Sequence, residues 1–197
     1  MRTLYYVVLI VILGVVGWFV WSTSSPREQE ISNTIENVAT TTQLSLTSSA
    51  FAHGGSIPAR YTCDENRGLN PPLTISGVPE GTVSLVLIMD DPDVPTQLRP
   101  DGVFDHWTLF NISPTTTEIA EDEEPGTQGV HGGGARGYTG PCPPAQYEPT
   151  THRYFFRLYA LDSELPLQAG ATKAEVLEAM EGHILEQTEL MGTYKRR

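Results

Sequence analysis

The chain has 197 residues, enough for one domain of ordinary size with an appendage but not for two full domains. Apolar residues make up 39%, which supports a real core, and Asp and Glu outnumber Lys and Arg 24 to 12 for a formal net charge of −12. That balance disfavours nucleic-acid binding, which needs clustered basic residues to neutralise phosphates.

The first element in chain order is Leu4 to Trp21, an uncharged run of 18 residues. As a helix it would extend about 27 Å, close to the hydrocarbon thickness of a bilayer. Tyr5 and Tyr6 stand at one end and Trp18 and Trp21 at the other, as an aromatic belt at both interfaces requires. Residues 1–21 are therefore expected to form a transmembrane signal-anchor. A cleaved signal peptide is the alternative, against which the run is long and its end is bulky. Arg2 precedes the run, which places the N-terminus in the cytoplasm and the following domain outside.

Residues 22–42 are polar and rich in Ser and Thr, and read as a flexible linker. The remaining stretch, 43–197, is the candidate domain. It holds 10 basic and 21 acidic residues, so a net of −11 belongs to it. Its two cysteines, Cys63 and Cys142, could close one disulfide in an exported domain or remain two buried thiols.

Within 43–197 strand signals dominate. Gln43 to Thr47 alternates with period two, and Ser84 to Met89 is an apolar run suited to a strand buried on both faces. Val103 to Ile112 and His152 to Leu161 are aromatic and β-branched. Pro- and Gly-dense connections separate them. The expected fold is mainly β, an antiparallel β-sandwich with long Pro/Gly-rich loops and a C-terminal α-helix. That helix opens on the capping box Thr172-Lys-Ala-Glu175 and continues through Val176, Leu177, Met180, Ile184 and Leu185 at helical spacing. Gly182 weakens the helix in this reading without ending it.

Polar residues interrupt the ends of several core strands. Asp90-Asp91-Pro92-Asp93 follows the apolar run, and alternation puts Asp91 on the face of Leu85, Leu87 and Met89. A turn is the ordinary use of such residues. His106 sits beside Trp107 in an apolar strand, and His152 precedes Tyr154 on one face of the last long strand. Polar groups converging at a core edge are what a small-ligand pocket requires. Gly132 to Gly137 satisfies G-x-G-x-x-G, yet Tyr138-Thr-Gly-Pro-Cys-Pro-Pro follows where a dinucleotide site needs a helix. The better expectation is a loop whose backbone amides approach an anion.

These segments together resemble the phosphatidylethanolamine-binding protein (PEBP) family, especially its bacterial Raf-kinase-inhibitor-like branch. The resemblance rests on Ile57 to Cys63, Asn70-Pro-Pro-Leu73, Asp90 to Pro95, His106 to Ile112, Gly137 to Pro144 and His152 to Leu161. It implies a ligand-binding pocket formed by Asp91, Asp93, Pro95, His106, Gly140, Pro141, His152 and Tyr154. It further implies phosphate-like ligands, phospholipid headgroups or phosphorylated side chains, with kinase or protease inhibition as a role of some members. His106, His152 and Tyr154 are expected to donate hydrogen bonds to the anion, with amides near Gly140 completing the cradle.

The leading expectation is a membrane-tethered, extracytoplasmic binding protein for a small anionic or phosphorylated ligand, with no cofactor, no metal and no nucleic acid. A protein partner, a protease or a kinase, would instead engage the loop from Pro95 to Asp105. An enzyme is the third class: a phosphoesterase with Asp91, Asp93, His106 and His152 around a metal. No nucleophile–base motif supports it.

Overall fold

A computed structural model describes residues 43–197. The expected anchor over 1–21 and the linker over 22–42 lie outside the described residues, among which no helix is long and apolar enough to cross a membrane. Among the described residues eight strands form two antiparallel sheets. The smaller sheet orders β1 (Ser45–Thr47), β2 (Leu73–Ser76) and β5 (Glu118–Ile119). The larger runs β6–β4–β3–β7–β8, built from β3 (Ser84–Asp91), β4 (Phe104–Ile112), β6 (Thr127–Gln128), β7 (Thr151–Leu161) and β8 (Ile184–Lys195).

Strand β3 is the centre of this arrangement, and all eight of its residues are buried. The reason is visible in its two faces. Leu85, Leu87 and Met89 join Leu46, Leu73, Ile75 and Ile119 from the smaller sheet in one apolar cluster. Val86 and Ile88 join Phe110, Val176 and Met180 in a second cluster on the opposite face. A strand covered on both faces needs no polar alternation, which is why its sequence reads as a continuous apolar run. Each such Leu or Ile contributes roughly 2 kcal/mol of burial.

Helix α1 (Lys173–Ala179) covers the second face and is shorter than the sequence leads one to expect. Its capping box forms as read, with Thr172 and Glu175 satisfying each other's amides. The chain then leaves the helix at Met180, and Gly182 adopts φ +81°. Gly182 therefore follows the end of the helix, in a left-handed conformation that glycine adopts without strain. Only Val176 and Met180 of the apolar stripe are buried, while Leu177, Ile184 and Leu185 are exposed. Ile184 and Leu185 open β8, which pairs with β7 over its whole length.

Cys63 and Cys142 are joined in a disulfide across 79 positions of sequence. The bond ties the loop after the 3-10 turn Ala59–Tyr61 to the loop preceding β7. The acidic run at 121–124 stitches neighbouring loops in the same region. Glu121 accepts from the Tyr61 hydroxyl at 2.5 Å and pairs with Arg60, and Glu124 accepts the Tyr138 amide at 3.0 Å.

Candidate functional site

At one end of the larger sheet, β3, β4 and β7 deliver polar side chains to a cleft of about 460 Å³. Asp91 ends β3 and shares the face of Met89, as alternation requires. His152 and Tyr154 lie on the matching face of β7, continuous with Phe156 and Leu158 in the core. His152 is fully buried and Asp91 nearly so, and His152 Nδ1 lies 2.7 Å from Asp91 Oδ2. Asp91 Oδ1 in turn accepts the Asp93 amide at 2.9 Å, so both carboxylate oxygens are occupied. His152 Nε2 is buried without a hydrogen-bond partner among the described residues.

His106 reaches the cleft through an irregularity in β4. Met89 pairs with Trp107, whereas Asp90 pairs with Asp105, so one residue of β4 is extra at that point. A bulge of this kind re-aims a side chain. The His106 ring lies 4.8 Å from Phe104 and edge-on to Tyr154 at 5.2 Å. The loop beyond Gly137 clasps it: the Thr139 amide donates to the His106 carbonyl at 3.0 Å, and His106 Nδ1 lies 2.6 Å from the Thr139 carbonyl. Tyr138 holds that loop by packing edge-on against Trp107 and donating its hydroxyl to the Tyr61 carbonyl.

A carbonyl oxygen only accepts, so Nδ1 of His106 carries the proton. Burial also pushes the pKa of His106 down to about 4, so the ring is neutral near pH 7. Its Nε2 therefore presents a lone pair. The expectation that His106 donates to a ligand is corrected on this point. His131 has the opposite arrangement, because the Gly133 amide donates to its Nδ1 at 2.9 Å. The neutral His131 ring consequently carries its proton on Nε2.

Of the eight residues expected at the pocket, Asp91, His106, Gly140 and His152 line the cleft. The other four do not. Asp93 is turned to Arg153, accepting its amide and two guanidinium hydrogen bonds, which hold its carboxyl below the usual carboxylate range. Pro95 starts the turn whose carbonyl accepts from Leu98 and Arg99. Pro141 offers its carbonyl to the Cys63 amide. Tyr154 lies beneath the cleft, and its buried hydroxyl has no hydrogen-bond partner among the described residues. Burial, reinforced by the nearby Asp91 charge, raises its pKa far above the usual tyrosine range.

The expected cradle of glycine amides does not form either. Gly132, Gly133, Gly134 and Gly140 donate to Asp105 O, His131 Nδ1, His131 O and Arg67 O. Gly140 is required for another reason: a β-carbon there would run into the Tyr61 carbonyl oxygen. Three cleft residues escaped the sequence reading, namely Arg67, Arg99 and His131. Each sits on a loop far from the strand motifs, and only its being basic in an acidic domain could have marked it. Arg99 stacks 5.2 Å from the Phe104 ring and donates to the Gly132 carbonyl at 3.2 Å. Arg67 is exposed and has no side-chain hydrogen bond or ion pair among the described residues.

Two arginines, a donor imidazole and a buried imidazole thus face one cleft, with the Asp91 carboxylate already engaged. The arrangement can receive an anion. The described residues contain no group of three or more His, Cys, Asp or Glu side chains placed to hold a metal.

A family model described as phosphatidylethanolamine-binding protein matches residues 47–195. A protein of Chlamydia muridarum called UPF0098 protein is 47% identical over 154 residues, covering 78% of this chain and 99% of its own. A UPF0098 protein of Methanothermobacter thermautotrophicus is 46% identical over 160 residues, with the same coverage of each chain. Among solved structures, a phosphatidylethanolamine-binding protein homolog of Chlamydia trachomatis aligns with a TM-score of 0.75 at 45% identity. It covers 79% of this chain and 99% of that one. YbcL of E. coli, described as a new member of the mammalian PEBP family, aligns at 0.70 with 28% identity and the same coverage.

Proposed function

Because the chain belongs to the phosphatidylethanolamine-binding protein family, we propose that the cleft is a binding site for phosphate-type anions, a phospholipid headgroup or a phosphorylated ligand. The observation that carries this reading is the meeting of Arg67 and Arg99 with His131 and His152 around one cleft. The domain's net charge of −11 repels anions at long range, so attraction has to come from local donors. Arg67 supplies a guanidinium with no partner among the described residues, and charge-assisted hydrogen bonds of this kind are the strong ones. The Asp91–His152 pair gives the floor of the cleft a fixed orientation.

In the same reading the two sheets form a sandwich-type binding domain carried outside the membrane by residues 1–21, with 22–42 as its tether. In this reading the protein binds its ligand rather than turning it over. Titrating the full chain with inorganic phosphate and phosphoethanolamine by calorimetry tests this. Saturable one-to-one binding of either is expected. Folded protein that binds neither would overturn the reading.

One observation favours a second reading, inhibition of a protease or kinase partner. Leu98 is 49% exposed on the loop from Pro95 to Asp105, at the rim of the cleft. Loops carried on a rigid scaffold are frequent sites of partner contact. Leu98→Asp that abolishes partner inhibition while leaving phosphate binding intact would establish this role.

A further inference from the structure

We infer that His106 Nε2 is the specificity determinant of the cleft, accepting a hydrogen bond from an acidic proton on the ligand. The site then selects free phosphate and phosphomonoesters over anions and diesters that carry no such proton, which narrows the proposed phospholipid ligand to a detached headgroup such as phosphoethanolamine. This inference rests on the proposed reading of the cleft as an anion site and asks which anions it takes.

The argument is one of tautomers. His106 Nδ1 is committed to the Thr139 carbonyl at 2.6 Å, an oxygen that cannot donate. The Thr139 amide returns a bond to the His106 carbonyl, so ring and loop are held together from both sides. Phe104 and Tyr154 pack against the ring and oppose its flipping to exchange the two nitrogens. His106 lines the cleft, and its Nε2 has no partner among the described residues and is not sealed from solvent. Burial disfavours the protonated ring that could otherwise donate through both nitrogens.

The surrounding groups supply the opposite polarity. Arg67 and Arg99 donate, and His131 presents Nε2–H because its Nδ1 accepts from Gly133. An anion in the cleft therefore meets donors at the rim and an acceptor at His106. A fully deprotonated oxygen set against the His106 lone pair is repelled. A P–OH group satisfies it. Inorganic phosphate keeps such a proton at mildly acidic to neutral pH, and phosphomonoesters keep it below their second pKa of about 6, whereas sulfate and phosphodiesters carry none.

The test compares inorganic phosphate, arsenate and sulfate on the full chain by calorimetry at pH 6.5. Arsenate shares the acidic proton of phosphate, and sulfate shares its shape without one. Phosphate and arsenate are expected to bind at least about tenfold more tightly than sulfate, since the mismatch leaves a polar group facing its own kind. Phosphoethanolamine should exceed glycerophosphoethanolamine in the same way at about pH 5.5, where the monoester keeps its proton and His106 is still neutral. Sulfate binding as tightly as phosphate would overturn the selection by His106 while leaving the anion site standing. Failure of all three anions to bind would overturn both.

His106→Gln provides the second arm, because an amide can turn either a donor or an acceptor to the ligand. The preference for phosphate over sulfate should fall to within about twofold whatever happens to absolute affinity; an unchanged preference counts against the inference. If the variant does not fold, long-range 15N–1H NMR of the unsubstituted chain still decides the point. Protonation on Nδ1 supports it, and protonation on Nε2 overturns it.

Discussion

Nδ1 of His152 and Oδ2 of Asp91 stand 2.7 Å apart, and both side chains are almost wholly withdrawn from solvent. The two come from different strands, β7 and β3, which run antiparallel and adjacent in the larger sheet. Their meeting is a consequence of register. Met89 pairs with Phe156 and Asp90 with Phe155, so the end of β3 lies beside the stretch of β7 that carries Tyr154 and His152.

Removing one member of this pair should cost stability as well as binding. Asp91→Ala strands a buried imidazole N–H and frees the Asp93 amide, at a cost of about 3 kcal/mol. Urea denaturation followed by circular dichroism measures it. A loss below about 0.5 kcal/mol would mean that the pair contributes little to the fold.

The depressed pKa of His106 makes stability depend on pH in a defined direction. In the unfolded chain this ring titrates near 6.5, and in the folded chain near 4. The unfolded state therefore binds the extra proton first, and stability falls as pH drops from 6.5 towards 4. The contribution at stake is on the order of 3 kcal/mol for a fully buried ring. Denaturation midpoints across this range should decline in the unsubstituted chain and decline less in His106→Gln. Parallel declines in the two proteins would contradict the assignment.

Much of this was legible from sequence, and the parts that were not share a cause. Strands β3, β4 and β7 announce themselves because burial on one or both faces forces apolar runs on the chain. Asp91 on the face of Met89, and Tyr154 on the face of Phe156, follow from alternation alone. His106 was legible as a residue but not as a tautomer, because its proton is placed by Thr139, 33 positions away. Strand β8 is hidden by helical periodicity: Val176 and Met180 set a stripe that Ile184 continues by coincidence, while the helix has ended before Gly182. Arg67, Arg99 and His131 sit on loops with no periodicity, and long-range bonds bring them to the cleft. The Gly140 amide reaches the Arg67 carbonyl at 2.7 Å, and the Gly132 amide reaches Asp105 at 2.8 Å.

The disulfide should matter to both fold and site. Joining positions 79 apart restricts the unfolded chain by about 4 kcal/mol in the loop-entropy account. Cys142 also lies on the loop that carries Thr139 and Gly140 into the cleft. The double substitution Cys63→Ser with Cys142→Ser should lower the denaturation midpoint and weaken phosphate binding together. A midpoint unchanged within error would contradict this.

Arg67 allows stability and binding to be separated. It is exposed and holds no ion pair among the described residues, so Arg67→Ala should alter stability by less than about 0.5 kcal/mol. Phosphate affinity should nevertheless fall about tenfold, the loss of one charge-assisted hydrogen bond. Calorimetry on the variant reads both quantities, and equal affinity would remove Arg67 from the site.

The five histidines offer the most direct measurement of the central claim. His106, His131 and His152 line the cleft, whereas His53 and His183 do not. Imidazole NMR of the full chain during titration with inorganic phosphate should shift the first three resonances along one saturating curve and leave the other two in place. Equal small drifts of all five, or no shift in the cleft set at saturating phosphate, would contradict the account.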